Sequence, residues 1–168
     1  ASCFVPKPFT PFQWEPQDTM EQLREKQQHL VKSVTTKKIS LSWHDAQTSF
    51  LEAVLARGDR RLGAVLLEAH NRGCNLDAWG EHFHFDVWMQ VFRDLGLDPA
   101  FYANRTRSFD EVFPWDHLDY GITKEFLIRE NKKAHESVTT PNCRQKCAGC
   151  GASCWKGGVC VEKRENSL

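Results

Sequence analysis

The sequence has no apolar run that approaches the roughly 20 residues of a membrane-spanning helix. Its first residues also lack the positively charged segment and the apolar segment of a secretory signal peptide. Neither an internal repeat nor a low-complexity run occurs in the 168 residues. These absences argue against a membrane protein, and they predict a cytoplasmic protein with no membrane partner.

The chain carries no net excess of charge, with 22 Lys or Arg residues against 22 Asp or Glu residues. The balance is uneven, because residues 124–168 contain nine basic and five acidic residues while residues 1–123 contain 13 and 17. A modest basic tail is compatible with phosphate or RNA contacts, although an excess of four is more typical of a solvated surface. The length suits one domain with an ordinary core and a tail.

Two strands and one helix are predicted near the beginning of the chain. Residues 2–5 form an apolar run, and residues 38–43 alternate apolar and polar side chains, so both segments are predicted strands. The segment between them is rich in helix formers, and Asp18 is its predicted cap. Because the strand-like run begins at Ala1 rather than at Met, we expect the chain to be a piece of a longer polypeptide.

Beyond Trp43 the apolar period changes from two to 3.6, which predicts a series of helices. Two helices flank the break at Gly58, and a third ends at Gly96. Asp98 and Thr123 are the predicted caps of a fourth and a fifth helix. The predicted faces contain Phe50, Leu51, Val54, Leu55, Leu62, Val65, Leu66, Ala69, Phe85, Trp88, Met89, Phe92 and Leu95.

Five of the seven cysteines lie in the last quarter of the chain, at Cys143, Cys147, Cys150, Cys154 and Cys160. Thiolates spaced by two or three residues in a Gly-rich segment can converge on one metal ion or one iron-sulfur cluster. Because the cytosol keeps thiols reduced, the pattern favours metal ligation over disulfides. Cys143, Cys147, Cys150 and Cys154 are therefore the predicted metal ligands, with a 4Fe-4S cluster favoured, structural zinc second and disulfides third.

Two histidine-containing segments are weaker candidates for chemistry. His82 and His84 alternate and lie near Asp86, so the three can be drawn as a metal site, but a position leading into a helix explains them better. His44 and Asp45 are likewise better explained by a hydrogen bond at a helix start than by an acid-base pair.

An Arg-rich turn at residues 57–61 separates two predicted helices. Gly58 permits the turn, and Asp59 is predicted to cap the following helix. Its three arginines raise a second hypothesis, a phosphate or carboxylate site near that helix start. Cys3 and Cys74 are predicted to be buried apolar residues, and the tryptophans at positions 43, 79, 88 and 115 are predicted to be mostly core.

Residues 4–14, FVPKPFTPFQW, resemble the last core strand and exit loop of radical S-adenosylmethionine proteins, in particular those with an N-terminal cobalamin-binding-like domain. The resemblance covers essentially the whole chain. Residues 143–150 have the Cys-x3-Cys-x2-Cys spacing by which that class holds its catalytic cluster, although these cysteines follow every other element. The likeness to the C-terminal extension of one uncharacterised family continues at SWHD (42–45), SFLE (49–52), ARGDRRLG (56–63), GC (73–74), FYA (101–103) and PWDH (114–117).

The resemblance implies an α+β, mostly helical chain in three parts. Residues 1–43 would be the last strand-helix-strand portion of an incomplete triose-phosphate-isomerase-like barrel, residues 44–137 a helical C-terminal extension, and residues 138–168 a Cys-rich metal-binding tail. The catalytic cluster, the S-adenosylmethionine site and any cobalamin site would belong mostly to an upstream barrel of the same polypeptide. The chain would cap the substrate side of that barrel and would not catalyse alone.

Under this hypothesis, Cys143, Cys147, Cys150 and Cys154 hold an auxiliary iron-sulfur cluster, since four thiolates leave no open position for a substrate or cofactor. Cys160 is either a substitute ligand or a bystander. The alternative hypothesis is a zinc-stabilised interaction or RNA-binding module, in which the cysteines are purely structural.

Overall fold

Six α-helices account for the regular structure of residues 1–152, the part of the chain that this computed structural model describes. They are α1 (Met20–Ser33), α2 (Ala46–Ala56), α3 (Leu62–Asn71), α4 (Phe85–Asp94), α5 (Pro99–Ala103) and α6 (Lys124–His135), with a 3₁₀ turn at Gly80–His82. The prediction of a mostly helical chain is confirmed. None of the helices in the described part is long and apolar enough to cross a membrane.

Side-chain caps fix the start of four helices. Thr19 caps α1 in a reciprocal capping box, one residue after the predicted cap Asp18. Asp45 caps α2 by accepting hydrogen bonds from two backbone N–H groups of its first turn, at 2.9 and 3.0 Å. Asp98 and Thr123 cap α5 and α6 as predicted. The polar residues before each apolar pattern therefore locate these helix starts to within one residue.

The predicted strands at residues 2–5 and 38–43 are wrong as regular elements, because residues 1–152 contain no β-strand. The two segments nevertheless meet at their ends. The amino group of Ala1 donates a hydrogen bond to the Ser42 carbonyl, and the His44 N–H donates one to the Ala1 carbonyl at 3.3 Å. This exchange is the hydrogen-bond pattern of a parallel pair, but a strand needs a ladder that continues over several residues.

The described residues form two compact units. Unit 1, residues 1–7 and 15–107, contains α1 to α5, and its core lies mainly between α2, α3, α4 and α5. The predicted helix faces largely match that core, but Leu55, Leu66 and Leu95 are exposed instead of buried. The buried core comprises Phe50, Leu51, Ala53, Val54, Leu62, Val65, Ala69, Cys74, Phe85, Trp88, Val91, Phe92, Tyr102 and Ala103.

Unit 2 contains residues 8–14 and the chain from residue 108 onward, of which residues 108–152 are described. Its core packs Trp14, Phe113, Trp115 and Leu127 together. The Trp115 indole N–H donates to the buried side-chain oxygen of Gln13 at 3.0 Å. These contacts join a short proline-rich segment to the chain around α6, and no local pattern in the sequence indicates that pairing.

The tryptophan predictions are correct for half of the positions. Trp88 and Trp115 are buried, whereas Trp43 and Trp79 are exposed. The most buried tryptophan among residues 1–152 is Trp14, at 1% exposure, which was not predicted as core. Aromatic type alone did not distinguish these positions, because burial depends on which segments the fold brings together.

Candidate functional site

The structure places three of the four predicted metal ligands in one short segment of unit 2. Cys143 and Cys147 are exposed, and Cys150 is half-buried. Cys154, the fourth predicted ligand, and Cys160 lie outside the described residues. Within residues 1–152, no group of three or more His, Cys, Asp or Glu side chains has a geometry that could hold a metal ion. The four-cysteine ligand set therefore stays a prediction.

The Cys segment, residues 142–151, follows a course fixed by hydrogen bonds to α6. The N–H of Thr123, the α6 cap, donates to the Cys150 carbonyl at 2.9 Å. The Arg129 guanidinium donates to the Ala148 carbonyl, two residues earlier in the segment. Both bonds involve main-chain oxygens of the segment, so they position its backbone without occupying a cysteine side chain.

Gly151 allows the Cys segment to lie close to the start of α6. A Cβ atom at this position would stand 2.7 Å from the Gly121 carbonyl oxygen and 3.0 Å from the Thr123 methyl group. The backbone φ of +101° is also unfavourable for residues with a side chain. Steric crowding thus explains why a glycine directly follows Cys150.

Hydrogen bonds among Glu130, Lys133 and Thr140 connect α6 to the residues just before the Cys segment. Lys133 Nζ donates to Glu130 at 3.0 Å and to the Thr140 hydroxyl at 2.8 Å, while that hydroxyl donates to the other Glu130 oxygen. Burial acts to raise the pKa of Glu130, but the hydrogen bonds from Thr140 and Lys133 hold it below its usual range. The carboxylate therefore stays ionised and keeps the three groups together.

A polar cavity of about 200 Å³ adjoins this cluster and reaches Cys147. Lys133 and Lys146 contribute basic side chains to its lining. Metals bind the thiolate form of cysteine, which carries a negative charge. The donor chemistry of the Cys segment therefore fits a thiolate-bound metal, with basic groups nearby to offset the negative charge.

The other candidates from the sequence lie at the surface, at a helix start or in the core of unit 1. His82 and His84 are exposed, and residues 1–152 do not bring them together with Asp86 as a metal site. Asp45 caps α2, which confirms the helix-start interpretation. Burial raises the pKa of the Cys74 thiol, and this cysteine belongs to the core of unit 1. Cys3, predicted to be buried, is only partly so.

The Arg-rich turn differs from its prediction in two respects. Asp59 does not cap α3, since its carboxylate accepts hydrogen bonds from the backbone N–H and the guanidinium of Arg61, which stands at the N-cap position. Arg57 is buried at 1% exposure and donates to the carbonyl oxygens of Ala103 and Arg105. The three arginines of the turn therefore do not form one common anion site.

Sequence reasoning missed one further group of residues. The exposed ring of Phe101 lies beside the guanidiniums of Arg61 and Arg105, which come from different parts of unit 1. The only sequence signals were the Arg-rich turn and the density of arginines at positions 105 and 107, and neither indicates an aromatic partner.

Comparisons with known proteins identify no relative of this chain. A scan against protein-family models, a search of curated proteins and a search of solved structures each find no match.

Proposed function

We propose that this chain is the C-terminal part of a radical S-adenosylmethionine enzyme and that its Cys segment carries an auxiliary iron-sulfur cluster. The observation that supports this proposal best is that hydrogen bonds from the Thr123 amide and the Arg129 guanidinium hold the backbone of the Cys segment against α6. Ligands in a pre-ordered loop lose less conformational entropy on binding a metal than ligands in a free tail. Cys143, Cys147, Cys150 and Cys154 would hold the cluster, which when bound supplies or accepts an electron.

The start of the chain supports the proposed link to an upstream barrel. Ala1 and residues 42–44 exchange backbone hydrogen bonds in the pattern of a parallel strand pair. Helix α1 lies between these two segments in the chain. Nearby, Phe4, Ile39 and Trp43 remain exposed. Parallel sheets in proteins are covered on both faces and seldom consist of two strands alone. Although residues 1–43 form no strand in the described chain, this hydrogen-bond exchange and these exposed side chains fit a segment that strands of an upstream barrel would pair with and cover.

The three-part division into residues 1–43, 44–137 and 138–168 belongs to the same proposal. In the whole polypeptide, the upstream barrel would bind S-adenosylmethionine, and cobalamin where a cobalamin domain is present. The chain described above would cover the substrate side of the barrel and would be inactive without it.

Metal analysis of anaerobically purified protein tests the auxiliary cluster. We expect about four iron and four sulfide ions per chain and a brown colour that Cys150→Ser diminishes. Cys3→Ser is the matched control, because Cys3 lies in unit 1, outside the Cys segment, and should leave the iron content unchanged. A colourless protein with one zinc ion and no acid-labile sulfide would contradict the cluster and support the zinc-stabilised module.

The encoded sequence immediately upstream of Ala1 tests the assignment as auxiliary. We expect it to contain a second Cys-x3-Cys-x2-Cys motif within a barrel-like pattern of strands and helices. If that motif is missing, the three cysteines at 143, 147 and 150 become the candidates for the catalytic cluster, and the assignment reverses.

A further inference from the structure

A surface of unit 1 combines an exposed aromatic ring with guanidinium groups. We call it the arginine-phenylalanine surface and define it by Arg61, Phe101 and Arg105, with Arg60 adjoining Arg61 in the sequence. The Phe101 side chain is 42% exposed. The guanidinium carbon of Arg105 lies 4.3 Å from the centre of its ring, and that of Arg61 lies 5.7 Å away. Both distances are typical of cation-π contacts.

Hydrogen bonds hold the two stacked arginines in place before any ligand binds. Arg61 forms a two-pronged ion pair with Asp59, in which its terminal nitrogen is 2.6 Å from a carboxylate oxygen. The pKa of Asp59 is held below its usual value, chiefly by this hydrogen bond. The Nε of Arg105 donates to the Phe101 carbonyl at 3.1 Å. The ring and both guanidiniums are thus pre-organised.

The Phe101 ring packs against a buried residue of the core. Phe101 packs edge-on against Tyr102, with ring centres 5.2 Å apart and an angle of 87° between the rings. Tyr102 is 2% exposed and belongs to the core of unit 1. Because this contact already restricts the Phe101 side chain, the side chain loses less conformational entropy when a flat ligand group stacks on its exposed part.

Basic charge accompanies the exposed ring. Arg60 precedes Arg61, and its side chain is exposed. Arg57 and Arg107 are buried nearby, where Arg57 donates to the Arg105 carbonyl and Arg107 donates to the Arg57 carbonyl. A ligand on this surface would therefore meet guanidinium planes and an aromatic face together.

We propose that the arginine-phenylalanine surface binds single-stranded nucleic acid. Bases stack on aromatic rings and on guanidinium planes, and phosphates bind arginine, so one strand satisfies both components of the surface. Stacking on a ring and on guanidinium planes tolerates any base, which predicts little sequence preference. This site is independent of the Cys segment and of the proposed cluster.

Binding of a fluorescein-labelled single-stranded RNA of mixed sequence, followed by anisotropy at low salt, tests the proposal. We expect Phe101→Ala to weaken binding about tenfold, because stacking on an aromatic ring contributes about 1–3 kcal/mol per base. The matched control is Phe4→Ala, since Phe4 lies in the same unit and is also 42% exposed. It should bind RNA as the unchanged protein does.

A charge reversal provides a second variant that should not disturb folding. Arg60→Glu is expected to weaken binding and to lower the slope of log Kd against log salt concentration by about one or more. Lys37→Glu, another exposed basic position in unit 1, is the control for net charge and should have a smaller effect.

Three results would overturn the proposal. The first is RNA binding that Phe101→Ala and Arg60→Glu leave unchanged, which would move the site elsewhere, for example to the basic tail. The second is equal affinity for a polyglutamate peptide that Phe101→Ala does not alter, which would indicate charge attraction alone. The third is the absence of any RNA binding at low salt. None of these results depends on whether the protein contains iron.

Discussion

Replacement of Arg57 tests the main polar connection inside unit 1. Its Nη1 donates to the Ala103 carbonyl at 3.0 Å, and its Nη2 donates to the Arg105 carbonyl at 3.1 Å. In return, the Arg57 carbonyl accepts a hydrogen bond from the buried Arg107 at 2.8 Å. These bonds connect the end of α2 to the end of α5. We expect Arg57→Ala to destabilise the protein far more than Arg60→Ala, a substitution of an exposed arginine in the same turn.

The magnitude of the Arg57→Ala effect follows from what each partner loses. Two charge-assisted hydrogen bonds contribute about 1.5–3 kcal/mol each. The Ala103 carbonyl keeps a second hydrogen bond, from the Gln17 N–H at 2.9 Å, so its loss is partial. Removal of a buried charge also recovers part of its desolvation cost. The expected decrease in the free energy of unfolding is therefore about 2–4 kcal/mol.

Urea unfolding followed by circular dichroism and by tryptophan fluorescence measures this decrease. Arg60→Ala is the matched control, because Arg60 belongs to the same turn but is exposed, and it should change stability by less than about 0.5 kcal/mol. Arg57→Lys should be intermediate, since an ammonium group cannot reproduce the two directed bonds of a guanidinium. Equal stabilities of Arg57→Ala and Arg60→Ala would refute the reasoning.

Three further changes have expected outcomes. Asp45→Ala removes the cap of α2 and should lower the free energy of unfolding by about 1 kcal/mol, while Asp45→Asn should have a smaller effect; both are measurable by urea unfolding. Gly151→Ala should detach the Cys segment from α6 and speed hydrogen exchange of the Thr123 amide, and it should do so more than Gly149→Ala, which has a positive φ but no atom in the way. The depressed pKa of Glu130 makes a contribution to stability that is present above its ordinary value of 4.5 and is lost as the pH falls through the lower folded value. Glu130→Gln should therefore flatten the fall in urea midpoint below pH 4.5, and Glu125→Gln, at an exposed position of the same helix, should not.

Helices were the most predictable elements, because their signals are local. Asp45, Asp98 and Thr123 act as caps by bonding to backbone N–H groups two or three residues away, so the sequence window contains the whole interaction. The one-residue error at α1 has the same origin. Asp18 and Thr19 are both good caps, and the reciprocal bond to a glutamine in the first turn favours Thr19.

Interactions between distant segments account for the errors. A strand exists only if a partner continues its ladder, so the alternation at residues 38–43 indicated an extended chain without guaranteeing a strand. Trp14 is buried because residues 8–14 join a core formed by residues beyond 108, and nothing within a short window shows this. The burial of Arg57 could not be predicted for the same reason, since both of its carbonyl acceptors lie more than 45 residues away.

The anchoring of the Cys segment bears on the order in which folding and metal binding occur. The bonds that hold the segment come from the Thr123 amide and the Arg129 guanidinium, neither of which is a predicted ligand. Small zinc modules, by contrast, are unfolded without their metal because the ligands provide most of the connections. If α6 positions the segment first, the metal-free protein keeps its helical content, and the thermal unfolding of Cys150→Ser matches that of the metal-free parent chain. A large loss of helix in that variant would show instead that the metal organises unit 2, which is the behaviour expected of the zinc-stabilised alternative.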